Sequence, residues 1–191
     1  MKLLWLLTLL PLCTFAQDTF LGMSVAPESD VPYERSLYGS GWIDADRDRQ
    51  DTRQEVLAAE SIGGVWFDHY TGTLISNASL LDIDHLVPLA EAHASGGYAW
   101  TREQKVAFAN DLTNPAHLIA VSAGANRSKG DRDPAEWMPP NRAYWCEYLT
   151  NWVAVKASYD LSVDPAERDA LRRGFSVCYL YLVGDSLDGR E

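Results

Sequence analysis

An aspartate–histidine pair lies in the run Leu81-Asp82-Ile83-Asp84-His85-Leu86-Val87-Pro88-Leu89, and a polar run, Asn126-Arg127-Ser128-Lys129-Gly130-Asp131, follows later in the chain. Asp84 offers an anionic oxygen ligand, Asn126 an amide oxygen, and His85 an imidazole able to take a proton near neutral pH. Hard divalent ions such as Mg²⁺ prefer oxygen ligands of this kind. A metal beside a general base is an arrangement for cleaving phosphodiesters. Each residue also has a plainer reading: His85 alone on an apolar strand is a satisfied core histidine, and Asn126 is a helix N-cap.

The elements that must position these groups are legible in outline. Leu80 to Leu89 is apolar with Pro88 near its end, which predicts a strand. Leu118 to Val121 predicts a second strand, with a helix opening at Asn126. Thr52 with Glu55, and Thr101 with Gln104, predict capping boxes that open helices, the second running to about Asn110. Gly63-Gly64 reads as a turn into a strand and Tyr70–Thr73 as another turn. After Pro134, Pro139 and Pro140, residues Trp145, Tyr148, Leu149, Trp152 and Val155 share one helical face. Asp164-Pro165 starts a last helix on which Leu171, Phe175 and Cys178 share a face. Residues 17–32 read as an extended lead-in. No repeat or linker divides the remainder, so residues 33–191 are expected to form one domain.

Charge and cysteines set the context. Lys2, the apolar run Leu3–Leu12 and Thr14-Phe15-Ala16 have the form of an export signal, cleaved near Ala16, so residues 1–16 are expected to be removed. Of three cysteines, Cys13 leaves with the signal, and an exported chain is expected to pair Cys146 with Cys178. Formal net charge is −11, and losing Lys2 makes it more negative. Nucleic-acid binders usually show a basic footprint, so an enzyme of this charge must gather its cations locally. Arg127, Lys129 and Arg132 crowd Asn126, with Arg102 and Lys105 upstream.

The order strand with Asp84-His85, return strand, then helix resembles the ββα-metal fold of HNH endonucleases. The runs Asp82-Ile83-Asp84-His85-Leu86-Val87-Pro88 and Asn126–Asp131 also resemble the HNH domain of RNA-guided CRISPR effector nucleases. The longer pattern is similar to exported HNH-type proteins of the GmrSD restriction endonuclease C-terminal kind. It is carried by Gly41-Trp42-Ile43-Asp44-Ala45-Asp46, Asp51–Leu57, Phe108-Ala109-Asn110-Asp111, Asn126–Asp131 and Asp133-Pro134-Ala135-Glu136-Trp137. The resemblance implies an α+β single domain whose ββα-metal core, about residues 80–137, is surrounded by several helices. It makes His85 the general base and makes Asp84 and Asn126 the ligands of one divalent metal, Mg²⁺ first and Mn²⁺ second. Asn114 becomes the residue that braces the loop between the two strands and holds the backbone of the base histidine, Lys129 or Arg127 steadies a phosphate oxygen, and Arg53 reaches a phosphate. Products would carry 5′-phosphates. Two departures stand out: the family's cysteines near Gln50 and Ser61 are both absent, and Phe67-Asp68-His69-Tyr70-Thr71-Gly72 stands where Asp-Pro-Tyr-Thr-Gly is expected.

Asp44, Asp46, Asp48 and Glu55 fall at positions 1, 3, 5 and 12 of an EF-hand-type Ca²⁺ loop, but Arg49 stands where glycine is required. A solvated acidic turn that caps the next helix is the preferred reading. The expected function is an exported, metal-dependent endonuclease acting on DNA, or on RNA, as a monomer without a membrane span. The alternative is an extracellular carbohydrate- or protein-binding domain on an inactive HNH scaffold, suggested by seven Trp, nine Tyr and the acidic charge.

Overall fold

The computed structural model describes residues 18–188, with side chains to Tyr179; the expected signal segment lies outside them. The chain opens with a hairpin of β1 (Thr19–Phe20) and β2 (Met23–Ser24). Its turn residues, Leu21 and Gly22, both take positive φ (51° and 87°), as a two-residue hairpin turn requires. Strands this short leave no period to read. Phe20 and Met23 are buried in the main core, and Val25 bridges Val163. The segment expected as a lead-in is therefore docked on the body of the domain. A 3₁₀ turn, Arg35–Tyr38, follows.

Helix α1 (Thr52–Glu60) is capped by Asp51, whose carboxylate accepts from the Gln54 amide while the Gln54 side chain returns to the Asp51 amide. The box thus sits one residue before the expected Thr52–Glu55 pair, and Thr52 is buried instead, donating to Asn110 Oδ1 at 2.9 Å. β3 (Trp66–Asp68) and β4 (Thr73–Ile75) form a second hairpin. β5 (Leu81–His85) follows, and α2 (Leu89–Ala94) begins directly after Pro88. The expected strand to Leu89 is therefore too long. Pro88 cannot donate to a ladder but suits a helix start.

Helix α3 (Arg102–Ala109) has the expected Thr101–Gln104 box. β6 (Leu118–Ser122) returns antiparallel to β5, pairing Asp84 with Ile119 and His85 with Leu118. α4 (Ala123–Lys129) follows at once, capped by the Ser122 hydroxyl. Asn126 is therefore in mid-helix, a correction to its expected place at the helix start. α5 (Trp145–Ser158) and α6 (Pro165–Asp188) close the chain.

Side chains alternate across the β5–β6 ribbon. Leu81, Ile83, Leu118 and Ala120 pack with Val56 of α1 and with the β3–β4 hairpin in a small core. The other face carries Asp82 and Asp84 beneath α4, while Ile119, Val121 and Ala125 join the main core. That core holds Tyr38, Tyr70, Phe108, Tyr148, Leu149 and Trp152.

Cys146 and Cys178 form a disulfide between α5 and α6, with a Cα–Cα separation of 5.6 Å. Beside it a Cβ on Gly174 would lie 2.2 Å from Leu149 Cδ1, so a larger residue there would have to displace the buried Leu149 side chain. Buried Lys156 on α5 bonds Glu91 of α2 and Glu167 of α6, each at 2.6 Å, and ties three helices together. The architecture is α+β. No helix of the described residues is long and apolar enough to cross a membrane.

Candidate active site

His85, at the end of β5, is buried, with its ring parallel to that of Trp42 (centroids 5.3 Å apart, 18° between planes). Its Nε2 lies 2.9 Å from the Ala109 carbonyl oxygen. A carbonyl can only accept, so Nε2 carries the proton and Nδ1 keeps its lone pair. Burial pushes the imidazole pKa down to about 3, with smaller contributions from His117, Arg35 and Lys129. His85 is neutral across the physiological range.

Asp84 points to the other face of the ribbon. Its Oδ2 accepts from the Tyr70 hydroxyl at 2.6 Å and from Lys129 Nζ at 2.5 Å. Lys129 is wholly enclosed and also donates to the His85 carbonyl at 2.7 Å. Burial raises the Asp84 carboxyl pKa, while Lys129 and Tyr70 oppose that rise by stabilising the anion. With both donors on Oδ2, Oδ1 remains for a ligand.

Asn126, one helical turn before Lys129, donates from Nδ2 to Asp82 Oδ2 at 3.4 Å. Asp84, His85 and Asn126, together with Trp42, Arg35 and Asp131, line a single open cleft of ≈ 360 Å³. A larger apolar groove of ≈ 800 Å³, between β1 and α6, is lined by none of these residues and has no comparable donor set.

Three expected roles change. Lys129 is not free to hold a phosphate, because it is buried against Asp84. Arg53 donates to the Ala78 and Leu81 carbonyls at 3.2 and 2.8 Å, and so anchors the entry to β5. Asn114 bonds within the loop that leads into β6, its carboxamide accepting from the Ala116 amide and its carbonyl from the His117 amide, but makes no hydrogen bond to His85 among the described residues. The hold on His85 comes instead from the end of α3. Ala109 holds the imidazole, and neighbouring Asn110 accepts from the Ile43 amide and from Thr52, tying that loop to α1. Arg127 stays exposed, 3.7 Å from Asp82 and outside the cleft lining.

His117 is buried with Nε2 on the Phe108 carbonyl, away from any ligand role. Asp44, Asp46 and Asp48 bring oxygens within 4.8 Å of one another, but all are exposed and accept from amides of their own loop. Arg49, at the glycine position, takes φ 80°. The sequence reading missed Trp42, Tyr70, Ala109 and Asn110. Trp42 and the Phe108–Asp111 run were visible as motifs, but a carbonyl's partner leaves no mark in residue type.

A strand bearing Asp-His, its return strand and a helix bearing Asn, gathered around one cleft, define the ββα arrangement of HNH nucleases. The chain belongs to the family described as GmrSD restriction endonucleases, C-terminal domain, which it matches over residues 38–173. It is 39% identical over 181 residues to an "Uncharacterized secreted protein" of Arthroderma benhamiae, covering 88% of this chain and 87% of that relative. No solved structure matches.

Proposed function

We propose that this protein is an exported, metal-dependent endonuclease hydrolysing phosphodiester bonds of DNA, with RNA as the second candidate substrate. The observation that carries the reading is the fixed tautomer of His85. Its Nε2–H is spent on Ala109, and its basic Nδ1 is kept in the family's nuclease domain beside Asp84 and Asn126.

In this reading, water in the cleft gives a proton to His85 Nδ1 as its oxygen attacks phosphorus. The bond from phosphorus to the 3′-oxygen breaks, the leaving oxygen is protonated from solvent, and a 5′-phosphate and a 3′-hydroxyl result. A base of pKa about 3 is weak. Burial sets most of that depression, and an anionic phosphodiester in the cleft would counter only the smaller contributions of Arg35 and Lys129. Trp42 stacks on the ring, and Lys129 and Tyr70 stabilise the Asp84 anion against its burial. The donor set fits a hard divalent ion, Mg²⁺ first and Mn²⁺ second, with Asp84 and Asn126 oxygens as its protein ligands. When bound, such an ion supplies charge stabilisation at the phosphate and leaving oxygens.

The binding-module alternative drew on aromatic content, but Tyr38, Tyr70, Phe108, Tyr148 and Trp152 are core residues. The test is plasmid DNA and RNA incubated with Mg²⁺, Mn²⁺ or EDTA, beside His85→Ala. Nicking should require the metal and fall about 10²–10⁴-fold in the variant. Wild-type protein that cleaves neither substrate with any metal would overturn the reading.

A further inference from the structure

A nucleic-acid substrate brings several phosphates, more charge than one divalent ion offsets, and this acidic chain has few cations near its cleft. The two cations expected from the polar run are engaged or displaced: Lys129 is enclosed with Asp84, and Arg127 lies outside the lining beside Asp82. Asp84 and Asp131 both line the cleft and repel an anion. Among the lining residues the single cation is Arg35. It is exposed, forms no ion pair among the described residues, and lies beside the Tyr33 phenol.

Its position is built rather than incidental. Arg35 opens the 3₁₀ turn Arg35–Tyr38, closed by Leu37 N–H to the Glu34 carbonyl (3.0 Å) and Gly39 N–H to the Ser36 carbonyl (3.3 Å). Tyr38 roots that turn in the core, with its hydroxyl 3.3 Å from His93 Nδ1. The turn packs on α2 and α3, the helix whose last residue, Ala109, holds His85. The guanidinium is thus on a fixed mount over the same cleft as the imidazole. Its charge reaches His85, whose proton affinity it lowers. Both Arg35 and Tyr33 precede the residues matched to the family.

We propose that Arg35 is the phosphate-binding residue of this cleft, its planar guanidinium pairing with non-bridging oxygens of the substrate phosphodiester. The inference rests on the nuclease reading above. Guanidinium forks match phosphate geometry in pairs of hydrogen bonds, which an ammonium cannot reproduce. Neutralising one phosphate also adds about one unit to the salt dependence of binding.

The test compares Arg35→Gln and Arg35→Lys with Arg102→Gln, which removes the same charge from the exposed start of α3. Two quantities are measured on the full mature chain: kcat/KM for plasmid nicking across NaCl concentrations, and affinity for a fluorescent single-stranded DNA oligonucleotide in EDTA. Arg35→Gln should lower kcat/KM about 10–100-fold, with partial recovery in Arg35→Lys. It should also weaken oligonucleotide binding and flatten the salt slope by about one. Arg102→Gln should stay within about twofold of wild type with an unchanged slope. If Arg35→Gln matches Arg102→Gln in rate, affinity and slope, the proposal is overturned while the nuclease reading stands. If wild type nicks nothing, the nuclease reading falls, and the oligonucleotide affinities alone decide on Arg35: a loss specific to Arg35→Gln upholds its phosphate contact, and equal affinities overturn it.

Discussion

Lys129 and Asp84 form an ion pair enclosed beneath α4, at 2.5 Å. Both are almost wholly removed from water, which disfavours the charge of each, and each stabilises the charge of the other. Lys129→Met leaves a buried carboxylate with only Tyr70 as partner, at a cost of about 3–5 kcal/mol. Replacing both, as Asp84→Asn with Lys129→Met, should cost less than Lys129→Met alone, because no orphan charge remains. Urea denaturation of the two variants checks this ordering; equal losses would show that the pair is not coupled. The polar surroundings of Lys129 in sequence suggested a solvent-facing cation. Helical phase decides otherwise. With Ser122 as cap, Ala125 and Lys129 fall four apart on the face turned to the ribbon, and Arg127 falls outside.

The elements divide into a working side and a bracing side. β5, β6 and α4 carry Asp84, His85 and Asn126, while α5 and α6 are joined by Cys146–Cys178 and reach α2 through Lys156. A bridge closing a loop of this size contributes about 3–4 kcal/mol, which for a chain of this length corresponds to roughly 10 °C in melting temperature. Reduction, or Cys178→Ser, should lower the melting temperature by that order. Below the new transition, nicking should persist, because neither cysteine lines the cleft. Thermal melts with and without reductant, paired with nicking assays, read both effects. Amphipathic patterning made α5 and α6 visible in sequence, and compartment suggested the pairing. The β1–β2 hairpin and α2 were not visible: two-residue strands have no period, and a short helix after proline is indistinguishable from the end of an apolar strand.

The whole molecule carries more acid than its interior can hold ionised at neutral pH. Burial lifts the Glu60 and Glu167 carboxyls to about 7 and Asp133 to about 6. Raised pKa values mean that between the ordinary carboxylate range and about pH 7 the folded state binds more protons than the unfolded one. The stability contributed by these carboxyls therefore falls as pH rises through that window, while His85, His93 and His117, whose pKa values burial lowers, contribute stability that rises with pH over the same range. The net charge of −11 adds self-repulsion in the same direction as the carboxyls. The carboxyl share is read as the melting temperature at pH 5 minus that at pH 8, which should be smaller in Glu60→Gln than in wild type. Glu60→Gln keeps an acceptor for the Ala120 amide, and 0.5 M NaCl should not erase its effect because Glu60 is partly buried. A difference in Glu60→Gln as large as in wild type would show that this carboxyl does not contribute.

The amino-acid sequence determined the family, the α+β class, the ribbon with Asp84 and His85, and the cysteine pair. Each depends on residue type and short-range spacing, which are written in the chain. Tertiary structure decided which groups are available to a substrate. It enclosed Lys129, gave Arg53 to carbonyls, gave the hold on His85 to Ala109 rather than Asn114, and brought Arg35 and Trp42 to the cleft. Those assignments depend on helical phase, burial and backbone acceptors from distant segments, and none of these is a property of a residue and its neighbours in sequence.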